Sequence, residues 1–142
     1  MKKLIGSVAL LFLFALPGFS QEHYTEGPVW RVQLIRVKPA HMDHYLTSLR
    51  KSTKPLLDEE KRAGDILDYK VFLKETKSSP DDWDIAIAVL FKNHAAMDGA
   101  AAKGEAARDK LLGKQAAQDL ADKRAEYREV ISSSLMQEIT LK

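Results

Sequence analysis

The stretch Trp83-Asp84-Ile85-Ala86-Ile87-Ala88-Val89-Leu90-Phe91 limits what this chain can fold into more than any other. Successive side chains of a strand point to opposite sides, so a strand with one wet face alternates apolar and polar residues. Here both parities are apolar. Ile85, Ile87, Val89 and Phe91 share one side; Ala86, Ala88 and Leu90 share the other. Both faces are therefore expected to be covered. The helices that the sequence supplies can cover one. A second copy of the same sheet is the simplest cover for the other, which predicts a homodimer.

The first twenty residues differ in character from the rest. Lys2 and Lys3 precede an apolar run from Leu4 to Phe14, and Gly18 and Ser20 stand three and one residues before Gln21. This is the layout of a cleaved signal peptide and predicts an exported protein, periplasmic or secreted. Leu4 to Phe19 is short for a membrane span and contains Gly6, Pro17 and Gly18. The predicted division is 1–20 signal, 21–28 extended leader, and 29–142 a single domain. Lys2 and Lys3 are two of the 22 basic residues, which leaves 20 against 20 acidic ones. That balance gives no reason to expect nucleic acid or, after cleavage, a membrane as partner. There is no cysteine, so stability must come from a core.

Periodicity then orders the elements. Val29 to Lys38 reads as a strand with unequal faces. Trp30, Val32 and Leu34 lie on one; Val29, Ile35 and Val37 lie on the other, with Arg31 and Gln33 between them. His41 to Ala63 carries a helical stripe through Tyr45, Leu49 and Leu56, with Pro55 predicting a kink or break near 52–54 and Gly64 closing it. Ile66 to Glu75 and Trp83 to Lys92 read as an antiparallel hairpin. From Asn93 to about Val130 the chain is helical in composition. One straight helix there would be about 57 Å long. A break across Gly99 to Gly113 is expected, then a helix from about Gln115 to Arg128. Ile131 to Lys142 is the last strand. Strand, helix, strand, strand, helix, strand is an α+β order: the ferredoxin-like βαββαβ arrangement, a four-stranded antiparallel sheet with its helical regions on one face.

Four stretches carry a family resemblance: Val32 to Pro39, Arg62 to Tyr69, Asp84 to Phe91, and the closing strand. Together they resemble the dimeric α/β barrel family, whose ferredoxin-like domains pack sheet to sheet across a two-fold axis. The resemblance covers nearly all of the chain after the signal. It implies that sheet-to-sheet dimer. The family spans small monooxygenases, haem-degrading, dehalogenating and isomerising enzymes, and stress-response proteins, so it implies no single chemistry. No catalytic set of any branch matches position for position, and none is carried over.

Candidate site residues follow from residue type. Trp30, Tyr45, Tyr69 and Trp83 are large aromatics of the central elements and are read as walls of a pocket for a small hydrophobic or aromatic ligand, against ordinary core packing. His94, at the end of the third strand, and His41, at the head of the first helix, are the candidate general bases. His41 and His44 share a helix face and are spaced to meet one metal ion, but no third ligand accompanies them. Arg31 and Arg36 on the first strand call for partners; Asp68 or Glu138 are the expected ones, ahead of the sharper alternative of an anion site. There is no Gly-rich phosphate loop, Gly-x-Ser-x-Gly or His-Glu-x-x-His, and no metal or cofactor is implied. The reading is an exported homodimeric small-molecule-binding protein. The alternative is a cofactor-independent monooxygenase-like enzyme with His94 or His41 as base.

Overall fold

In the computed structural model, residues 23–142 are described; the predicted signal segment 1–20 lies outside them. The sheet has four strands in the order β2-β3-β1-β4, all antiparallel: β1 Tyr24–Val37, β2 Asp68–Leu73, β3 Ile85–Phe91 and β4 Arg128–Leu141. The helical elements α1 Met42–Ser48, α2 Lys54–Ala63, α3 Ala100–Leu112 and α4 Lys114–Tyr127 complete the ferredoxin-like order that the periodicity predicts.

Register decides which residues meet the helices. Val29 pairs with Phe91, Arg31 with Val89, Gln33 with Ile87 and Ile35 with Ile85, so these residues share one side. Ile35, Val37 and Ile85 pack with Tyr45 and Leu49 in one cluster. Val89 and Phe91 pack with Leu57 and Ile66 in a second. The other side carries Trp30, Val32 and Leu34 of β1 against Leu90, Ala88 and Ala86 of β3.

Three local features differ from expectation. First, β1 starts at Tyr24, so residues 24–28 are part of the sheet and pair with β4. Gly27-Pro28 mimics a linker in sequence, but here the pair lies in a bulge between Glu26 and Val29. A Cβ on Gly27 would stand 3.1 Å from the Glu138 carbonyl oxygen, so any larger residue would press on the β4 backbone there. Second, the irregularity that Pro55 predicts near 52–54 is present but is not a break. One π-helical turn, Leu49–Thr53, absorbs it, with the Lys54 amide donating to the Leu49 carbonyl. Pro55 then sits in the first turn of α2, where no amide donor is required. Gly64 closes α2 as predicted, with its own amide donating to Lys61 and the Asp65 amide to Glu60.

Third, 99–113 is mostly helix. Gly99 and Gly113 both take positive φ, 72° and 82°, and mark its two ends. The short turn Ala95–Met97 before it is capped by Asn93, whose side-chain oxygen accepts the Ala96 amide at 2.9 Å. Gly104 stays helical inside α3.

Candidate functional site

The open side of the sheet is shielded in part by the chain itself. Ala86 and Ala88 are each only 4% exposed, because Trp30 and Trp83 fold over them along with Val32 and Leu34. The expectation that one chain cannot cover both faces of β3 is corrected to that extent: two indoles do what a second layer was required for. The small floor beneath large walls leaves a concavity of about 520 Å³, lined by Trp30, Trp83, Phe72, Met136, Ala86 and Ala88 among others. Apolar exposure is displaced to its rim, where Phe72 is 49% and Met136 51% exposed.

The walls are held in place. The Trp30 indole donates to Glu138 Oε1 at 2.7 Å, and Lys70 Nζ lies 5.6 Å from the Trp30 ring. Lys74 Nζ lies 4.8 Å from the Trp83 ring and pairs with Asp82. Cations over indole faces add orientation to these contacts.

The four candidate aromatics do not share this pocket. Tyr45 is buried among the helices, edge-on to Tyr127 at 6.2 Å. Tyr69 also faces the helix side, and its hydroxyl donates to Asp58 at 2.6 Å. Burial, then that hydrogen bond, push the Tyr69 hydroxyl up from its ordinary pKa. The cause of the split is parity: Trp30 is even in β1, whereas Tyr69 pairs with Val89, a helix-facing residue.

Neither histidine candidate lines the concavity. His41 stacks on Tyr127 at 5.9 Å and lies 6.1 Å from the His44 ring. His94 is exposed at the head of the Ala95–Met97 turn. Among the described residues no group of three or more histidines and carboxylates is placed to hold a metal ion. Arg36 bonds Glu129 at 2.8 Å and Asp81 at 2.8 Å, in place of the expected Asp68 or Glu138. Arg31 makes no ion pair among the described residues, lies near enough to Glu60 for its charge to act there, and sits over Phe91 at 5.1 Å.

Sequence reasoning missed a set of helix-side arginines. Arg124 of α4 donates to Ser48 Oγ at 2.9 Å, to Thr53 Oγ1 at 2.8 Å and to Ser52 Oγ, which ties α4 to the π-helical turn. Burial pushes the Arg124 guanidinium down, and the charges of Arg128 and Arg108 act the same way. The available signal was Arg31 and Gln33 sitting on the same parity as Val29, Ile35 and Val37.

No family model matches the chain, and no curated protein does. Solved structures do. HapK from Hahella chejuensis superposes with a TM-score of 0.51 at 12% identity, over 78% of this chain and 91% of that one. The chain has a ferredoxin-like fold. A dimeric ferredoxin-like protein of unknown function from Bacteroides fragilis gives a TM-score of 0.46 at 17% identity, over 82% of this chain and 100% of that one. Identities this low speak to fold alone. No helix among the described residues is long and apolar enough to cross a membrane.

Proposed function

We propose that the chain acts, after export, as a homodimer that binds a small hydrophobic or aromatic molecule between its two sheets. The observation that carries this reading is the tryptophan-walled concavity over an alanine floor. Its volume of about 520 Å³ falls in the range of small-molecule sites, roughly 300–1,000 Å³. A second sheet placed across it roofs the hollow and covers the exposed Phe72 and Met136 at the same time. That arrangement removes apolar surface from water on both copies and leaves enclosed space that side chains do not fill. Export rests on the basic and apolar pattern of residues 1–20.

The chain's two tryptophans both line the hollow, so their emission reports on its contents. Native mass spectrometry is expected to give twice the chain mass. Nile red is expected to shift the tryptophan emission, and Ala88→Leu, which raises the floor, to abolish that shift while the dimer persists. A monomer at micromolar concentration sinks the assembly half of the proposal. A dimer whose tryptophans ignore the dye in both wild type and Ala88→Leu sinks the binding half.

A further inference from the structure

The helix-facing side of the sheet holds a second hollow, of about 420 Å³, between β1 and helices α2 and α3. Its lining carries charges of both signs. Arg31 enters from β1, Glu60 from α2, and Glu105 and Arg108 from α3. Arg31, Glu60 and Arg108 are half-buried, and Glu105 is exposed. Two guanidiniums and two carboxylates sum to no net charge, so the hollow calls for no bare ion of either sign.

These opposite charges do not meet. Ion pairs join charged side chains elsewhere among the described residues, but none of these four takes part in one. Glu105 and Arg108 stand three apart on α3, a spacing that favours pairing, and still do not pair. Arg31 lies near enough for its charge to act on the Glu60 carboxyl, yet the two make no ion pair. Arg108 Nε is buried without a hydrogen-bond partner.

The separation has causes in the packing. Arg31 lies over the Phe91 ring at 5.1 Å, which holds its guanidinium toward β3. The Glu60 carboxyl lies against Gly104, where a Cβ would stand 3.0 Å from Oε1. Glycine in mid-helix costs about 1 kcal/mol relative to alanine, and at this position it gives that carboxyl room.

We propose that this cavity binds an aliphatic α-amino acid, its carboxylate toward Arg31 and Arg108 and its ammonium toward Glu60. A planar carboxylate matches the fork of a guanidinium and takes two parallel hydrogen bonds from it. An ammonium has three donors and no acceptor, which suits an ionised carboxyl that only accepts. A ligand with one charge satisfies one half of the lining and is repelled by the other; a dipolar one satisfies both. Leu56, Leu57 and Ala100 supply an apolar wall for the aliphatic side chain. The site is on the opposite side of the sheet from the tryptophan chamber and does not depend on it.

The test uses the full chain as it is produced. It is titrated by calorimetry with L-valine, with isovalerate, which lacks the ammonium, and with isobutylamine, which lacks the carboxylate. Arginine Nε–H signals in nitrogen–proton spectra report where the ligand sits. Valine is expected to move the Arg31 and Arg108 signals and to bind at least about tenfold more tightly than either analogue. Glu60→Gln is expected to weaken valine about tenfold without weakening isovalerate, and Arg31→Gln to weaken valine about tenfold without weakening isobutylamine. Either analogue binding the wild type as tightly as valine overturns the proposal. So does valine that leaves both arginine signals unmoved, which decides the matter even where neither variant folds. Tryptophan emission is expected to stay unchanged; a shift places valine in the chamber instead and overturns the assignment too.

Discussion

Truncating Phe72 tests the sheet-to-sheet assembly most directly. Phe72 lies on the open side of β2, opposite Ala86, and is 49% exposed in the single chain. A phenylalanine side chain buries about 200 Å² when fully covered, so about 100 Å² is left for a partner to cover. At about 25 cal/mol per Å² that is about 2.5 kcal/mol for one copy. A two-fold interface uses the same patch twice, which doubles the figure to about 5 kcal/mol per dimer. Phe72→Ala is then expected to raise the dimer dissociation constant by up to about four decades. Sedimentation velocity across a dilution series reads this directly, with circular dichroism to show that the sheet survives. The reasoning fails if Phe72→Ala, folded as wild type, keeps its dissociation constant within about tenfold of wild type. A control on the helix-facing side separates the two faces: Leu46→Ala, which removes an exposed leucine of α1, is expected to leave the dimer intact.

Two further predictions concern the joint that ends β1 and opens β3. Asp84 is buried, accepts the Val37 amide at 2.8 Å and pairs with Lys77 at 2.5 Å. Asp84→Ala leaves that amide buried without an acceptor and is expected to cost about 3 kcal/mol, whereas Asp84→Asn keeps the acceptor and costs about 1 kcal/mol; urea unfolding of the two variants checks the difference. Close by, the Lys74 side chain, then the Ser78 amide and with it the Trp83 amide, hold the Asp82 carboxyl at about 2, below its ordinary 3.8. A depressed carboxyl stabilises the fold fully above its ordinary value and loses that contribution as pH falls through the folded value. The stability gap between wild type and Asp82→Asn is therefore expected to close as pH falls from 3.8 to about 2, followed by circular dichroism; a gap constant across that window refutes the assignment.

Much of the fold was legible because strand parity is a strict code. The side assigned to Ile85, Ile87, Val89 and Phe91 is the side the helices cover, and the hairpin and closing strand pair as read. What stayed hidden depends on contacts distant in sequence. Gly27-Pro28 reads as a linker until Glu138 is placed opposite it. Pro55 reads as a break because a π-helical turn, held by Arg124 from another helix, has no local signature. Gly104 reads as a weak point in a helix until Glu60 is known to face it. Parity separates Trp30 from Tyr69, but Trp83 joins Trp30 because it precedes β3 and folds back across it, which a period-two reading cannot foresee.

The sheet-to-sheet proposal turns on β1. A central strand of a two-layer domain ordinarily turns apolar residues toward its helices and tolerates polar ones on the outer side. β1 inverts this over its middle. Trp30, Val32 and Leu34 form an unbroken apolar row on the side without helices, while Arg31 and Gln33 project among the helices. On an isolated chain the apolar half leaves Phe72 and Met136 toward water, while Arg31 and Gln33 sit half-buried on the helix side. Two residues acting together relieve neither half, because shifting the strand by one position would bury Trp30 where Arg31 sits and break the pairing of Val29 with Phe91. The register is fixed by its flanks, Val29 and Ile35, both fully buried. What remains is for another molecule to complete the apolar side, and a second sheet does so.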